Sequence, residues 1–425
     1  MTDGTVPAAY RAAWRLLSPA LRLAAASGLF PSWRLSERFD AGPALPAGPG
    51  PLWMHCASLG EAKGLWALAR ALPPDLPLLL TASTSTGCDY LMQACASVGA
   101  GRRARMAPLD DPRLLGAFLE RGRIRGLCLY ESELWPNALA ACAARGLPVA
   151  LASGRIRPGS LRAYRRFGAP LLRLLDGLAW IQAQSEPDRA RFAQAVRAPV
   201  HAGSDLKALA FLGGGPSPVR APSRPGRRDA IAFVSLHYRE LRRLLPVLPS
   251  LLARGGIRIF PRHPSEFPSF RTALAPLGFA LRSRDGAGPH LLVDALGEVG
   301  ANLPACHTAF VGGSLFPPGC HNPWEPLAAG ARVVVGPHFR HQQPVVEDML
   351  ARGVAIRIRG PAELAVLPPP PDDFPAAAEA YAREARAAAE RSMRACRERI
   401  IATFFSGAPA PPAKAVPAGG EGIIR

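Results

Sequence analysis

The chain has no run of about 18 apolar residues, so no membrane-crossing helix is expected. It has no Cys-X-X-Cys pair. Its eight cysteines, Cys56, Cys88, Cys95, Cys128, Cys142, Cys306, Cys320 and Cys396, are scattered over 425 residues, several of them in apolar segments. Disulfide frameworks belong to short secreted chains, so reduced cytosolic thiols are the expectation. No ligand spacing supports zinc. No Asp-X-Asp motif closes a strand, and Asp110-Asp111 before Pro112 reads as a helix start, so no metal is expected. There is no dense Lys/Arg block and no aromatic-basic interleaving, which argues against a nucleic-acid partner. No signal peptide is expected, because Arg11, Arg15 and Arg22 interrupt the first apolar segment. Acidic residues are in deficit: 32 Asp+Glu face 51 Lys+Arg, mostly arginine, for a net charge of +19. That surplus calls for an anionic partner: nucleic acid, an anionic membrane surface or a phosphorylated substrate.

What is present is a normal globular balance, 48% hydrophobic and 20% charged. The length fits two to three domains. Tyr10, Trp14, Leu17 and Leu21 form one helical stripe with the three arginines beside it. Such a helix either lies in a membrane interface or packs on its own protein. Pro19 fits a break between two short helices. From Leu52 onward, short apolar runs alternate with helices: strands at Leu52–Cys56, Leu76–Thr81, Gly126–Tyr130, Val149–Leu151 and Ala179–Ala183. A Gly/Pro/Arg-rich linker follows Phe211. The alternation then resumes at Ala230–Ser235, Ile257–Phe260, Leu291–Asp294, Thr308–Val311 and Val333–Val335, and ends in a long helix, Ala376–Phe405. This predicts α/β folding: two doubly wound parallel sheets, covered on both faces, facing across a cleft.

The polar loops follow the strands. Ser58–Glu61, Ser83–Gly87, Glu131–Glu133, Ser235–His237, Pro261–Pro264 and Gly312–Glu325 are each expected at a strand's carboxyl end, where open α/β sheets bind ligands. Glu61 opens a helix and suits removal of a proton from a hydroxyl; the alternative is an ordinary helix-start charge. Glu131 and Glu133 stand at a strand end, as stabilisers of developing positive charge or as capping carboxylates. Arg262, between Pro261 and Pro264, suits phosphate, and packing is favoured for His263. Lys207 is a further candidate cation. Ser314, His321, Asn322 and Glu325 sit on a glycine-rich loop before a helix, fit for a phosphate or a ligand hydroxyl or else purely structural.

Together these segments resemble the 3-deoxy-D-manno-octulosonic acid (Kdo) transferases of lipopolysaccharide synthesis. The resemblance runs from Trp33 to Val354 through Trp33–Phe39, Ser58–Glu61, Glu131–Asn137, Ala183–Glu186, Pro261–Pro264, Leu296–Glu298, Phe310–Leu315, His321–Pro326 and Gly336–His338. It implies a GT-B glycosyltransferase, with no cofactor or metal, that moves Kdo with inversion from CMP-Kdo to a lipid A precursor. It further implies a peripheral protein on the cytoplasmic face of the inner membrane. Glu61 matches the family's general base. Glu131 and Lys207 match residues that stabilise the transition state. Pro261, Arg262, Leu296, Gly297, Glu298, Asn322, Pro323, Trp324 and Glu325 match the nucleotide-binding segments.

The implied organisation is a membrane-associating helix (1–32), an acceptor domain (33–208), a linker (209–228), a CMP-Kdo domain (229–375), a C-terminal helix (376–405) and a disordered tail (406–425). Three segments depart from the family pattern, one of them Phe339–Gln342, where an aromatic-Asn-aromatic run is common. Ser235–Glu240 has lost most of the acids usual there, and Asp205 stands before Leu206 in Gly203–Lys207. These departures bear on the acceptor and on the number of Kdo units added. A different activated sugar, or glycolipid binding without catalysis, are the alternatives.

Overall fold

Five-residue apolar runs with no polar face can only be central strands, and they are. In the computed structural model, which describes residues 6–46, 48–98, 101–167, 169–213, 230–295, 298–317 and 319–406, fourteen strands form two seven-stranded sheets. The first contains β1 (Leu52–Cys56), β2 (Leu78–Ala82), β3 (Arg102–Met106), β4 (Gly126–Tyr130), β5 (Val149–Gly154), β6 (Trp180–Ala183) and β7 (Val200–His201). Its order is β3-β2-β1-β4-β5-β6-β7. The second contains β8 (Ala230–Leu236), β9 (Gly256–Pro261), β10 (Ala280–Leu281), β11 (His290–Leu292), β12 (Cys306–Val311), β13 (Arg332–Val335) and β14 (Ala355–Arg357), in the order β10-β11-β9-β8-β12-β13-β14. Every pairing is parallel. Helices connect the strands, so the sheets are doubly wound. Strand order reverses between β1 and β4 in one sheet and between β8 and β12 in the other.

The chain divides into two compact units: the part up to Leu206 together with Ala389 onward, and Lys207–Ala388. In the first, Trp53, Phe118, Leu127, Leu129, Leu151 and Ile181 share one core. The end of helix Phe374–Phe404 closes the sheet: Gln182 Nε2 donates to Ser392 O at 2.8 Å, and Phe404 lies so close to Gly126 that a Cβ there would meet it at 2.6 Å. In the second unit, Phe233, Ile259, Phe270, Phe310 and Val334 form the corresponding core. Tyr381 packs there on Trp324, ring centroids 6.2 Å apart, and donates to Asp348.

The N-terminal helix runs unbroken from Ala8 to Ala26, through Pro19. Tyr10, Trp14 and Leu21 of the predicted stripe pack against their own unit, and the Tyr10 hydroxyl donates to Asp110 at 2.7 Å. Leu17 of the stripe is exposed, as are Leu16, Leu23, Leu29, Phe30 and Trp33 outside it. No helix among the described residues is long and apolar enough to cross a membrane. All eight cysteines are free and buried. The expected linker lies largely, and the tail beyond Ser406 wholly, outside the described residues.

Candidate active site

At the reversal point of the first sheet, Ser58 is the N-cap of helix Leu59–Ala71, three residues before Glu61. This Ser-X-X-Glu spacing is that of a capping box, but Ser58 makes no side-chain cap hydrogen bond and Glu61 reaches one residue further back. The carboxylate turns back: Oε2 accepts from Ala57 N–H at 2.8 Å and Oε1 lies 3.3 Å from Ser58 Oγ. A carboxylate has about four lone-pair sites, so these contacts orient Glu61 without exhausting its capacity to accept. A Cβ on Gly60 would meet nothing, so no packing in the chain itself demands a glycine there. Gly64, one turn on, is different: a Cβ would stand 2.1 Å from the Tyr130 hydroxyl.

Tyr130 ends β4 beside the first strand. Its phenol is fully buried and its pKa is driven well above the usual value, first by burial, then by the charges of Glu131 and Asp205, with Glu61 also contributing. The negative charges of Glu61, Glu131 and Asp205 all act in the same direction on this phenol. Nothing in the sequence singled out Tyr130. An apolar strand ending in tyrosine next to a glutamate was the available signal. Glu131 is buried and held at φ 64, in the left-handed region, with Arg155 Nη2 3.5 Å from its carboxylate. A non-glycine residue there costs of order 1–3 kcal/mol, and such strain concentrates at functional positions.

Glu133 has a different place. Its carboxylate accepts from Trp135 Nε1 at 3.1 Å and lies 3.7 Å from His55 Nε2. Trp135 also donates to His55 Nε2 at 3.1 Å, which assigns the His55 proton to Nδ1, 2.8 Å from Thr81 Oγ1. Glu133 is thus bound into a side-chain network behind the loop. Asp110 and Asp111 are helix caps. Asp111 caps its own helix, Pro112–Arg121, as expected. Asp110 caps helix Pro136–Ala143 instead, through Asn137 N–H and Ala138 N–H.

In the second sheet the loops after β8, β9 and β12 come together. A Cβ on Gly312 would lie 2.3 Å from Ser235 O, so only glycine lets the ends of β8 and β12 meet. Ser235 itself sits at φ 54. Glu240, wholly buried, is the organiser. It accepts from Gly313 N–H at 2.7 Å, Leu315 N–H at 3.0 Å and His237 N–H at 3.2 Å. The Ser235–Glu240 segment, poor in acids, keeps the one carboxylate that ties the glycine-rich loop down. Arg239 and Arg243 stack on Phe316 of that loop, 4.8 and 4.7 Å from its ring centre. Ser314 is spent on structure, donating to Val311 O and accepting from Gly336 N–H.

Around this scaffold lie three imidazoles. His237 Nε2 is 2.9 Å from His321 Nε2, and the His263 ring centre is 5.4 Å from that of His237. His263 is exposed rather than packed, as is Arg262 beside it. Burial, then the charges of Arg262 and the neighbouring imidazoles, push His321 down to about 3. Asn322 Oδ1 caps the helix start by accepting from Trp324 N–H at 3.1 Å. Pro323 and Trp324 are buried, and Glu325 is half-buried in the first turn. That helix, Trp324–Ala328, has five residues, so its dipole is smaller than the sequence implied. Pro261 ends β9. Glu298 is ion-paired with Arg282 at 2.5 Å. Leu296 and Gly297 lie outside the described residues. Lys207 opens helix Lys207–Leu212. No group of three metal-ligating side chains occurs among the described residues.

Two doubly wound parallel sheets with polar loops gathered at both reversal points define the GT-B class of glycosyltransferase folds. A UDP-GlcNAc 2-epimerase from Neisseria meningitidis shares this fold, with a TM-score of 0.52 at 11% identity over 84% of this chain and 100% of that one. Within that class, residues 33–210 match the family profile for 3-deoxy-D-manno-octulosonic-acid transferase (kdotransferase). The 3-deoxy-D-manno-octulosonic acid transferase of Bordetella pertussis is 36% identical over 328 residues, 72% of this chain and 76% of that protein. The enzyme of that name from Haemophilus influenzae is 29% identical over 332 residues, 72% and 75% of the two chains. The chain belongs to the 3-deoxy-D-manno-octulosonic acid transferase family.

Proposed function

We propose that the chain transfers a Kdo residue from CMP-Kdo to a hydroxyl of a lipid A precursor, with inversion at the anomeric carbon. The carrying observation is Glu61: a glutamate oriented by Ala57 N–H and Ser58 Oγ at the reversal point of the first sheet. The acceptor oxygen attacks the anomeric carbon from the face opposite the CMP. The bond to the phosphate oxygen breaks, CMP departs with the electron pair, and Glu61 takes the acceptor proton. Glu131, strained at its strand end, and Lys207 stabilise positive charge on the sugar and negative charge on the phosphate respectively. In the second unit, Arg262 with the imidazoles beside it holds the nucleotide phosphate. Pro261, Glu298 and Asn322–Glu325 frame the nucleoside. The basic surplus and the exposed Leu16, Leu23, Leu29, Phe30 and Trp33 support peripheral docking on an anionic membrane surface, the cytoplasmic face of the inner membrane.

The test is purified protein with CMP-Kdo and tetraacylated lipid A precursor, the products weighed by mass spectrometry. Addition of one or more Kdo masses, with release of CMP, is expected. Turnover with a UDP-sugar and none with CMP-Kdo would replace this donor.

A further inference from the structure

The first sheet has an edge at β2 and β3. The chain covers it with an extended strap, residues 41–46 and 48–51, in which Leu45 is the one large side chain among glycine, alanine and proline. Such a strap cannot fill the space beneath it. The result is a pocket of about 460 Å³, within the range of about 300–1,000 Å³ usual for small-molecule sites. Its wall is the apolar strap together with Leu79 and Phe118, and no acidic residue lines it.

Three arginines do line it: Arg103, Arg105 and Arg123. Arg105 is committed to the wall, donating to Glu37 O and Asp40 O, with Asp40 Oδ2 3.6 Å away. Arg103 and Arg123 are exposed and have no carboxylate partner among the described residues. The frame around them is specific. Arg123 is held at φ 46, and a Cβ on Gly50 would stand 1.7 Å from its carbonyl oxygen, so the end of the strap is seated directly on it. A Cβ on Gly42 would strike the Arg105 guanidinium at 2.6 Å. Pro51, Pro77 and Gly101 mark this as the amino end of β1, β2 and β3, whereas Glu61 and Glu131 lie beyond the carboxyl ends of β1 and β4. Five-residue strands separate the two ends by roughly 15 Å. The pocket therefore does not belong to the transfer site.

An aliphatic lining with few polar groups selects a hydrocarbon chain. Two guanidiniums without partners, and no opposing acid, select a negative head. We propose that this pocket binds a long-chain fatty acid as its carboxylate, the chain over Leu79 and Phe118 and the head paired with Arg103 and Arg123. An occupied pocket presses on the strap and, through Arg105, on the end of the helix Leu35–Phe39. The inference does not rest on the transferase reading, because binding is read without donor or acceptor.

The test is displacement of dansylated undecanoic acid by palmitate from the full-length protein, purified without detergent. Saturable one-site binding is expected. Leu79→Trp, which fills the pocket, abolishes it. The double variant Arg103→Gln/Arg123→Gln weakens it by about tenfold, the loss of a charge-assisted contact. Circular dichroism reports folding of each, and the arginine variants change only exposed side chains. Non-saturable binding, binding that survives Leu79→Trp in a folded protein, or affinity unchanged in the arginine variant each overturns the proposal. So does zwitterionic dodecylphosphocholine competing as well as palmitate.

Discussion

In the first unit, the loops after β1 and β4 carry Glu61, Glu131 and Glu133; in the second, those after β8, β9 and β12 carry His237, Arg262, His263 and His321. The backbone arrangement is the same: a parallel sheet, a reversal in strand order, and non-glycine residues in the left-handed region at strand ends, Glu131 in one and Ser235 in the other. The charge is opposite. A glutamate serves chemistry in the first unit and architecture in the second. Glu61 is bound to Ala57 N–H and Ser58 Oγ at a helix start and is half-buried, whereas Glu240 is wholly buried and gathers three backbone N–H groups of two segments. Fold placement alone does not tell the two apart. The depth at which each carboxylate is buried, and the segments it ties together, do.

The comparison breaks most readily at these glutamates. Glu61→Gln is expected to lower kcat by about 10²–10⁴-fold, the usual contribution of a general base, with donor KM little changed. Steady-state transfer assays check it, and near-normal kcat would move the base elsewhere. Glu240→Gln brings an NH₂ up against N–H donors in a buried place. It is expected to destabilise the second unit by about 2–4 kcal/mol, read by denaturant melts. The same change at Glu61 removes only a cap-like contact, about 1 kcal/mol. Equal losses of stability at both positions would erase the distinction. Arg262→Lys comes next: a planar fork becomes a point charge, and donor KM should rise about tenfold at unchanged kcat.

The central strands were legible because they are buried on both faces, and such strands read as continuous apolar runs. The edges were not. β3 is Arg-Arg-Ala-Arg-Met, and no apolar run announces it. Arg102 is buried there because its guanidinium reaches the carbonyl of Leu72 at 3.0 Å, a partner no local pattern reveals. The same reasoning covers β7, β10 and β14, of two or three residues each, which exist only by pairing with longer neighbours. In the site, Glu61 and Arg262 were visible as polar residues after strands. Tyr130 and Glu240 were not, because their roles come from what the fold buries around them. Pro19 misled in the other direction. Tertiary packing of Tyr10, Trp14 and Leu21 carries the helix through it.

The smallest expected difference is in how the units answer pH, and the signs oppose. Burial raises Asp110 of the first unit from its usual 3.8 to about 7, against the hydrogen bonds from Tyr10, Asn137 and Ala138. Folded Asp110 keeps a proton that the unfolded chain has lost, so its stabilisation is present at low pH and disappears as pH rises through 7. His321 of the second unit is pushed down to about 3. Its folded form stays neutral where the unfolded imidazole, near 6.5, is charged, so stability falls as pH drops below that value. Between pH of about 6.5 and 5.5, each group shifts stability by about 1 kcal/mol, upward in the first unit and downward in the second. A global melt would nearly cancel them. Native-state hydrogen exchange separates them, because amides of β4 and β5 report one unit and those of β8 and β12 the other. Protection should rise in the first group and fall in the second on acidification. His321→Asn should flatten only the second response. A parallel response of both units would mean that other titrating groups set the pH dependence of at least one of them.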